Sequence, residues 1–211
     1  MSNAEDAPDA LHDFPEDFRE CIRFHRHTCP GLAIGYAAAK IGAEALGAAP
    51  SQDEELVAVV ENDSCAVDAV QVLLGCTFGK GNLVFRDWGK QVFTFVDRTN
   101  LKAVRVSFVG EVPFRRERRE LRDSMRVRGA TPDDELQLER LKHRAIAEII
   151  SDPGRFFTVR EIPCELPPRT TVVKTSTCSV CAEEVVVQKL VERAGRKICK
   201  ECEMRAGLAR Q

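Results

Sequence analysis

Apolar positions along this chain change their period several times, and each change marks an element. Residues 16 to 25 suit a short helix, and Pro30 and Gly31 open a longer alanine-rich one that runs to about Gly47. Within it Gly31, Gly35, Ala39 and Gly42 are small residues three or four apart, so this helix can lie very close to another backbone and is expected to be buried. "ELVAVVEN" is a continuous apolar run of strand length, and Ser64 or Asp63 in the following "DSC" can cap a helix over "CAVDAVQVLLG", which makes a βα unit. "NLVFRD", "KQVFTFVDR" and "LKAVRVSFVG" are β-rich, the last two joined by a polar turn at Arg98, Thr99 and Asn100 that predicts an antiparallel hairpin.

Two helices follow, over 114–128 and 132–151, separated where Thr131 can cap, Pro132 takes the first helical position and Asp134 completes a capping arrangement. "SDPGRFFTVREI" stops the second and begins a further strand, after which "PCELPPRTT" is proline-rich and extended. The order of elements predicts an α+β domain over residues 10–166, with a mixed or antiparallel sheet packed against helices. A linker at 167–171 then leads to a small separate module at 172–211.

Composition narrows the partners. Lysine and arginine number 31 against 33 acidic residues in a chain of 211, so a net charge of −2 gives no global attraction to nucleic acid or to an anionic membrane. The most apolar stretch, residues 31–49, is interrupted by Lys40 and Glu44 and carries four glycines, which suits a buried helix and not a membrane span. The acidic start, "MSNAEDAPDALHDFPEDF", lacks a basic and then apolar leader and predicts a reducing cytoplasm. There, nine cysteines point to metal ligands or reactive thiols before disulfides.

Four of those cysteines are in the C-terminal module. Cys178 and Cys181 are separated by two residues, as are Cys199 and Cys202, with seventeen residues between the pairs. That spacing is that of a four-cysteine zinc site, each pair forming a knuckle. The intervening "EEVVVQKLVERAGRKI" alternates like a hairpin turning at Ala194 and Gly195. A single iron or paired disulfides are the alternatives, but a module this small has too little core to fold without a staple. "RKICKECEMRA" also resembles the end of zinc fingers in certain bacterial regulators; eight basic against five acidic residues over 172–211 is too small a surplus to establish DNA binding.

The second cluster is "FHRHTCPG". His25, His27 and Cys29 share a face if the segment is extended, and Pro30 disfavours helix at Cys29. Cys29 adjoins the cap of one helix and Cys65 the first turn of another, where the helix dipole biases a thiol toward thiolate. Nitrogen and sulfur ligands from this segment, with Cys65, suit zinc or another soft transition metal with a position left open. The competing reading is structural: buried cysteines serve as small core residues and histidines near turns cap backbone groups. Cys76, eleven residues past Cys65, would lie about 16 Å away on a continuous helix and cannot share the ion. Lys80, in the tight "CTFGKGN" loop, lines a pocket or faces water; no helix follows, so the loop is not of the Walker type.

"FHRHTCPGLAIGYAAAK", "ENDSCAVDAVQVLLGCTFGKGNL" and the four-cysteine module together resemble FmdE, a subunit of formylmethanofuran dehydrogenase, and its relatives, over about residues 15 to 205. The resemblance implies an α+β domain whose metal pocket is built from His25, His27, Cys29 and Cys65, a zinc ribbon, and a homodimer. Arg26 stands where members often carry glycine between the histidines, which bears on how freely the cluster approaches its neighbours. The function expected is that of a metal-binding protein accompanying a molybdenum or tungsten oxidoreductase, as an accessory subunit or in delivering metal or cofactor. One rival is a stand-alone metalloenzyme in which Asp68, one turn beyond Cys65, is the acid or base. Another is a metal- or redox-responsive regulator using the ribbon and "RRERRELRDSMRVR", seven basic against three acidic residues, although such a run is commonly a solvated helix face.

Overall fold

A computed structural model of the chain describes residues 13–169 and 174–208. The first residues of the expected domain (10–12), the end of the linker with the start of the ribbon (170–173), and 209–211 lie outside the described residues. The chain divides into two compact units, Met1–Arg169 and Thr170–Gln211.

The larger unit is α+β. Helices α1 (Glu16–His25) and α2 (Pro30–Leu46) precede strand β1 (Leu56–Val60), helix α3 (Ala66–Leu74) and strand β2 (Leu83–Phe85). Strands β3 (Val92–Asp97) and β4 (Lys102–Phe108), helices α4 (Arg115–Arg128) and α5 (Pro132–Ser151), and strand β5 (Phe157–Ile162) complete it. The sheet is mixed, in the order β2-β1-β3-β4-β5; β1 and β2 are parallel, joined through α3, and every other neighbour is antiparallel. The expected β3–β4 hairpin forms, its turn held by Asp97, whose carboxylate accepts from Thr99 N at 2.8 Å and Asn100 N at 3.1 Å.

Alternation along the strands sends Leu56, Ala58 and Val60, Phe93 and Phe95, and Val104 and Val106 into one core with α1, α2, α3 and α5. Val57, Val96 and Ala103 form a small cluster on the opposite face. There Glu61, only 1% exposed, is neutralised by a two-pronged pair with Arg105, one arm of which is 3.1 Å.

Helix α2 occupies the centre of the helical layer, packed on α1, α3, α5, β3 and β4. Its small residues permit this. A Cβ on Gly35 would stand 1.9 Å from the Ala66 carbonyl oxygen, and one on Gly42 would stand 2.1 Å from the Phe95 ring. Helix α1 is tied to α2 through Asp17, which accepts from the Tyr36 hydroxyl at 2.8 Å and from Lys40 Nζ at 2.7 Å. The capping box before α5 forms as its sequence predicts, Thr131 accepting from Asp134 N and Asp134 accepting from Thr131 N.

Two local expectations are corrected. The N-cap of α3 is Cys65, with Ser64 one position earlier: its hydroxyl reaches Ala66 N at 3.4 Å while donating to Asn62 Oδ1 at 2.7 Å. Lys80 neither lines a pocket nor simply faces water, because its Nζ donates to the carbonyls of Ser51 and Gln52 at 3.1 and 3.2 Å and ties the loop after α3 to the segment before β1.

The smaller unit holds two hairpins where one was expected. β6 (Thr175–Thr177) pairs with β7 (Glu184–Val186), then a 3₁₀ turn at Val187–Lys189 interrupts the alternation before β8 (Leu190–Arg193) pairs with β9 (Arg196–Cys199). The second hairpin turns at Ala194 and Gly195, both with positive φ (48° and 73°), the geometry that suits the twist of paired strands. Helix α6 (Lys200–Leu208) follows.

Candidate metal centre

His25 is the last residue of α1, so the expected extended run from His25 to Cys29 is not what brings the histidines together. Arg26 caps the helix in the left-handed conformation (φ 70°), its N–H bonded to Ile22 O at 2.7 Å. That reversal folds the following residues back, and the His25 and His27 rings lie 4.2 Å apart, centroid to centroid. A glycine meets such a conformation without steric cost, and arginine does not.

Cys29 is the N-cap of α2. Its backbone is extended (φ −156°, ψ 157°) and its sulfur accepts from Leu32 N at 3.3 Å, so the thiol takes the part usually played by a serine or aspartate oxygen. Cys65 arrives from the loop after β1, which a polar network holds. Asn62 Oδ1 accepts from Ser64 N at 3.2 Å, Asn62 Nδ2 donates to Lys90 O at 2.9 Å, and Gln91 Nε2 donates to Ser64 Oγ at 3.1 Å. The close approach of α2 to α3 at Gly35 and Ala66 then sets the two cysteines beside each other, and the Cβ that Gly31 lacks would meet Cys65 Cβ at 3.3 Å and Cys29 Sγ at 3.7 Å.

One ligand atom each from His25, His27, Cys29 and Cys65 lies within 4.8 Å of the others. Two imidazoles and two thiols at that separation fit around one ion at nitrogen and sulfur bond lengths of roughly 2.0 to 2.3 Å. His27 is exposed and the other three are half-buried, so one side of the cluster faces solvent. Asp68, considered above as an acid or base, instead meets His25: Nδ1 lies 2.7 Å from Asp68 Oδ2. With the Nδ1 proton donated to the carboxylate, Nε2 presents its lone pair toward Cys29 Sγ, 4.0 Å away.

The dipole argument for a ready thiolate does not hold at Cys29. Burial pushes its thiol up to about 11 against the opposing N–H of Leu32, and the adjacent Cys65 adds to the rise. A cation between the two sulfurs reverses that balance. Cys76 is fully buried, its thiol raised to about 12 by burial, and it stands outside the cluster.

In the smaller unit, ligand atoms of Cys178, Cys181, Cys199 and Cys202 again lie within 4.8 Å of one another, with Cys181 Sγ 4.0 Å from Cys199 Sγ. Backbone N–H groups aim at the sulfurs: Cys199 N to Cys178 Sγ at 3.2 Å and Cys202 N to Cys199 Sγ at 3.4 Å. N–H groups of Cys181, Cys199 and Val180 hold the Cys178 thiol down at about 6. Little else fills this unit; Ile198 is the one large aliphatic side chain buried beside Cys178 and Cys199 among the described residues, with Val185 and Cys202 partly covered.

Sequence reasoning missed the network behind Cys65 and also Arg118, the one buried residue of α4. Spacing of three from Arg115 gave no sign that Arg118 turns inward, because every neighbour in "RRERRELRDSMRVR" is also charged or polar. Arg116, Arg119 and Arg126 follow the solvated reading and pair with Glu120 and Asp123 of their own helix.

Comparison with known proteins gives three findings. Residues 24–158 match the family model described as "FmdE, Molybdenum formylmethanofuran dehydrogenase operon". A protein of Archaeoglobus fulgidus described as a probable S-adenosyl-L-methionine-binding protein is 29% identical over 187 residues, which is 85% of this chain and 50% of that one, so the chain spans about half the length of the curated relative it matches. An FmdE-like protein of the tungsten formylmethanofuran dehydrogenase type, from Syntrophus aciditrophicus, has a crystal structure that matches with a TM-score of 0.57 and 23% identity, over 89% of this chain and 91% of that one.

Proposed function

The chain belongs to the FmdE family, and from that premise we propose that it is a metal-binding accessory protein of a molybdenum or tungsten oxidoreductase, acting as a subunit or in the supply of its metal or cofactor. The observation that carries the reading is the convergence of His25, His27, Cys29 and Cys65 from the end of α1, the cap of α2 and the start of α3. Two nitrogens and two sulfurs suit zinc, and four sulfurs suit zinc in the ribbon. Support for the association comes from the family's description and from the name of the Syntrophus relative.

The test is metal analysis of the protein from its own host, with and without Cys65→Ala. Wild type should carry an ion in each cluster; the variant should lose the pocket ion and keep that of the ribbon. Pull-down of the wild type should recover a molybdenum or tungsten oxidoreductase. Equal metal content in both proteins overturns the pocket, and a pull-down without such an enzyme, with unaltered dehydrogenase activity on deletion, overturns the association.

A second reading, a stand-alone metalloenzyme, is favoured by the exposure of His27, which leaves room for a ligand from solvent. An ion held here supplies Lewis acidity. In this reading Asp68 orients His25 and does not itself move the substrate's proton. X-ray absorption showing two imidazoles and two sulfurs, with no fifth or exchangeable ligand, removes it.

A further inference from the structure

A cleft of about 540 Å³, the size of a small-molecule site, runs beside the metal pocket from the first turn of α2 to the first turn of α4. Pro30, Ile34, Phe108 and Val112 give it an apolar wall, and its polar groups are Gln91, Glu111, Arg115 and Arg118. Gly31 forms the part nearest the pocket, where its missing side chain would stand 3.7 Å from Cys29 Sγ and 3.9 Å from Cys65 Sγ.

Arg118 is the unusual member. It is only 9% exposed, its Nε has no hydrogen-bond partner, and no carboxylate among the described residues lies in ion-pair range of it. Its electrostatic neighbours include the like charges Arg122 and Arg115, with the Cys29 thiol opposite. A buried, uncompensated guanidinium is costly, and a cationic fork in a cleft is what a carboxylate matches.

We propose that this cleft binds a small organic carboxylate, Arg118 taking the carboxylate with Arg115 beside it, the hydrocarbon part lying on Ile34, Phe108 and Val112, and the far end directed to the metal pocket. Two arginines against one glutamate leave a single positive charge, which suits a monoanion better than a phosphate dianion. Only the ligand's orientation rests on the proposed metal function; the anion site itself stands on the arginine and the cleft.

The test is calorimetric titration of the full chain with butyrate, its neutral counterpart butyramide, and inorganic phosphate, each with the protein stripped of metal and reloaded with zinc. Zinc content is measured on the same samples, so failure of the anion site is told apart from failure of the metal pocket. Butyrate should bind saturably, butyramide and the Arg118→Met variant about tenfold more weakly or worse, and Glu111→Gln at least as tightly as wild type. If Arg118→Met does not fold, Val112→Trp, which fills the cleft from its rim, should abolish butyrate binding instead. Absence of saturable butyrate binding to wild type, tighter binding of phosphate, or undiminished binding in the variants overturns the proposal.

Discussion

His25 shows how one contact decides a side chain's chemistry. A neutral imidazole can present either nitrogen, and the bond from Nδ1 to Asp68 Oδ2 at 2.7 Å selects Nε2 as the donor that faces the cysteines. Asp68→Ala should therefore lower the affinity of the pocket for zinc by about 10- to 100-fold, read by competition with a chromophoric chelator, while the ribbon keeps its ion. Glu55 illustrates a different use of a carboxylate. The N–H of Asp53 at 2.9 Å, then the Ser51 hydroxyl at 2.8 Å, hold it down to about 2 from a usual value near 4.5. A depressed acid contributes stability that is complete above its unfolded value and disappears as pH falls through its folded one. The difference in melting temperature between wild type and Glu55→Gln should be full at pH 7, shrink below about pH 4.5 and vanish near pH 2.

Between elements, the decisive contact is α2 on α3. Because a Cβ on Gly35 would stand 1.9 Å from a backbone oxygen and 2.5 Å from the Ala66 Cα, no rotation of a flexible side chain can make room. Gly35→Ala should destabilise the larger unit by about 1–3 kcal/mol in urea unfolding and reduce metal bound in the pocket, since separating α2 from α3 separates Cys29 from Cys65. Recovery of full stability and metal content in that variant would refute the idea that helix separation positions the ligands. The small-residue spacing of α2 announced this approach; the partner, lying 31 residues further on at Ala66, was not announced. Arg26 carries the complementary lesson, because a single left-handed residue replaced the extended segment that alternation had suggested.

For the molecule as a whole, the two units differ in what holds them. The larger has a continuous core shared by four helices and one sheet face, whereas the described residues of the unit Thr170–Gln211 bury almost nothing apart from cysteines and Ile198. Zinc removal by a strong chelator should therefore expose the smaller unit to limited proteolysis and leave 13–169 protected, with re-addition of zinc restoring resistance. Persistence of a protease-resistant ribbon in chelator would contradict a metal-held fold.

Much of this was present in the residues alone. The α+β class, the β3–β4 hairpin, the capping box at Thr131 and Asp134, and the tight spacing of Cys178, Cys181, Cys199 and Cys202 depend on interactions within a few positions, so local pattern determines them. Tertiary structure decided the rest: that β2 runs parallel beside β1, that Asp68 meets a histidine 43 residues away, that burial outweighs the helix dipole at Cys29, and that Arg118 alone turns inward from a charged helix. Each of those outcomes sets groups distant in the chain against one another, and their energies depend on separations and burial that exist only once the helices have packed on the sheet.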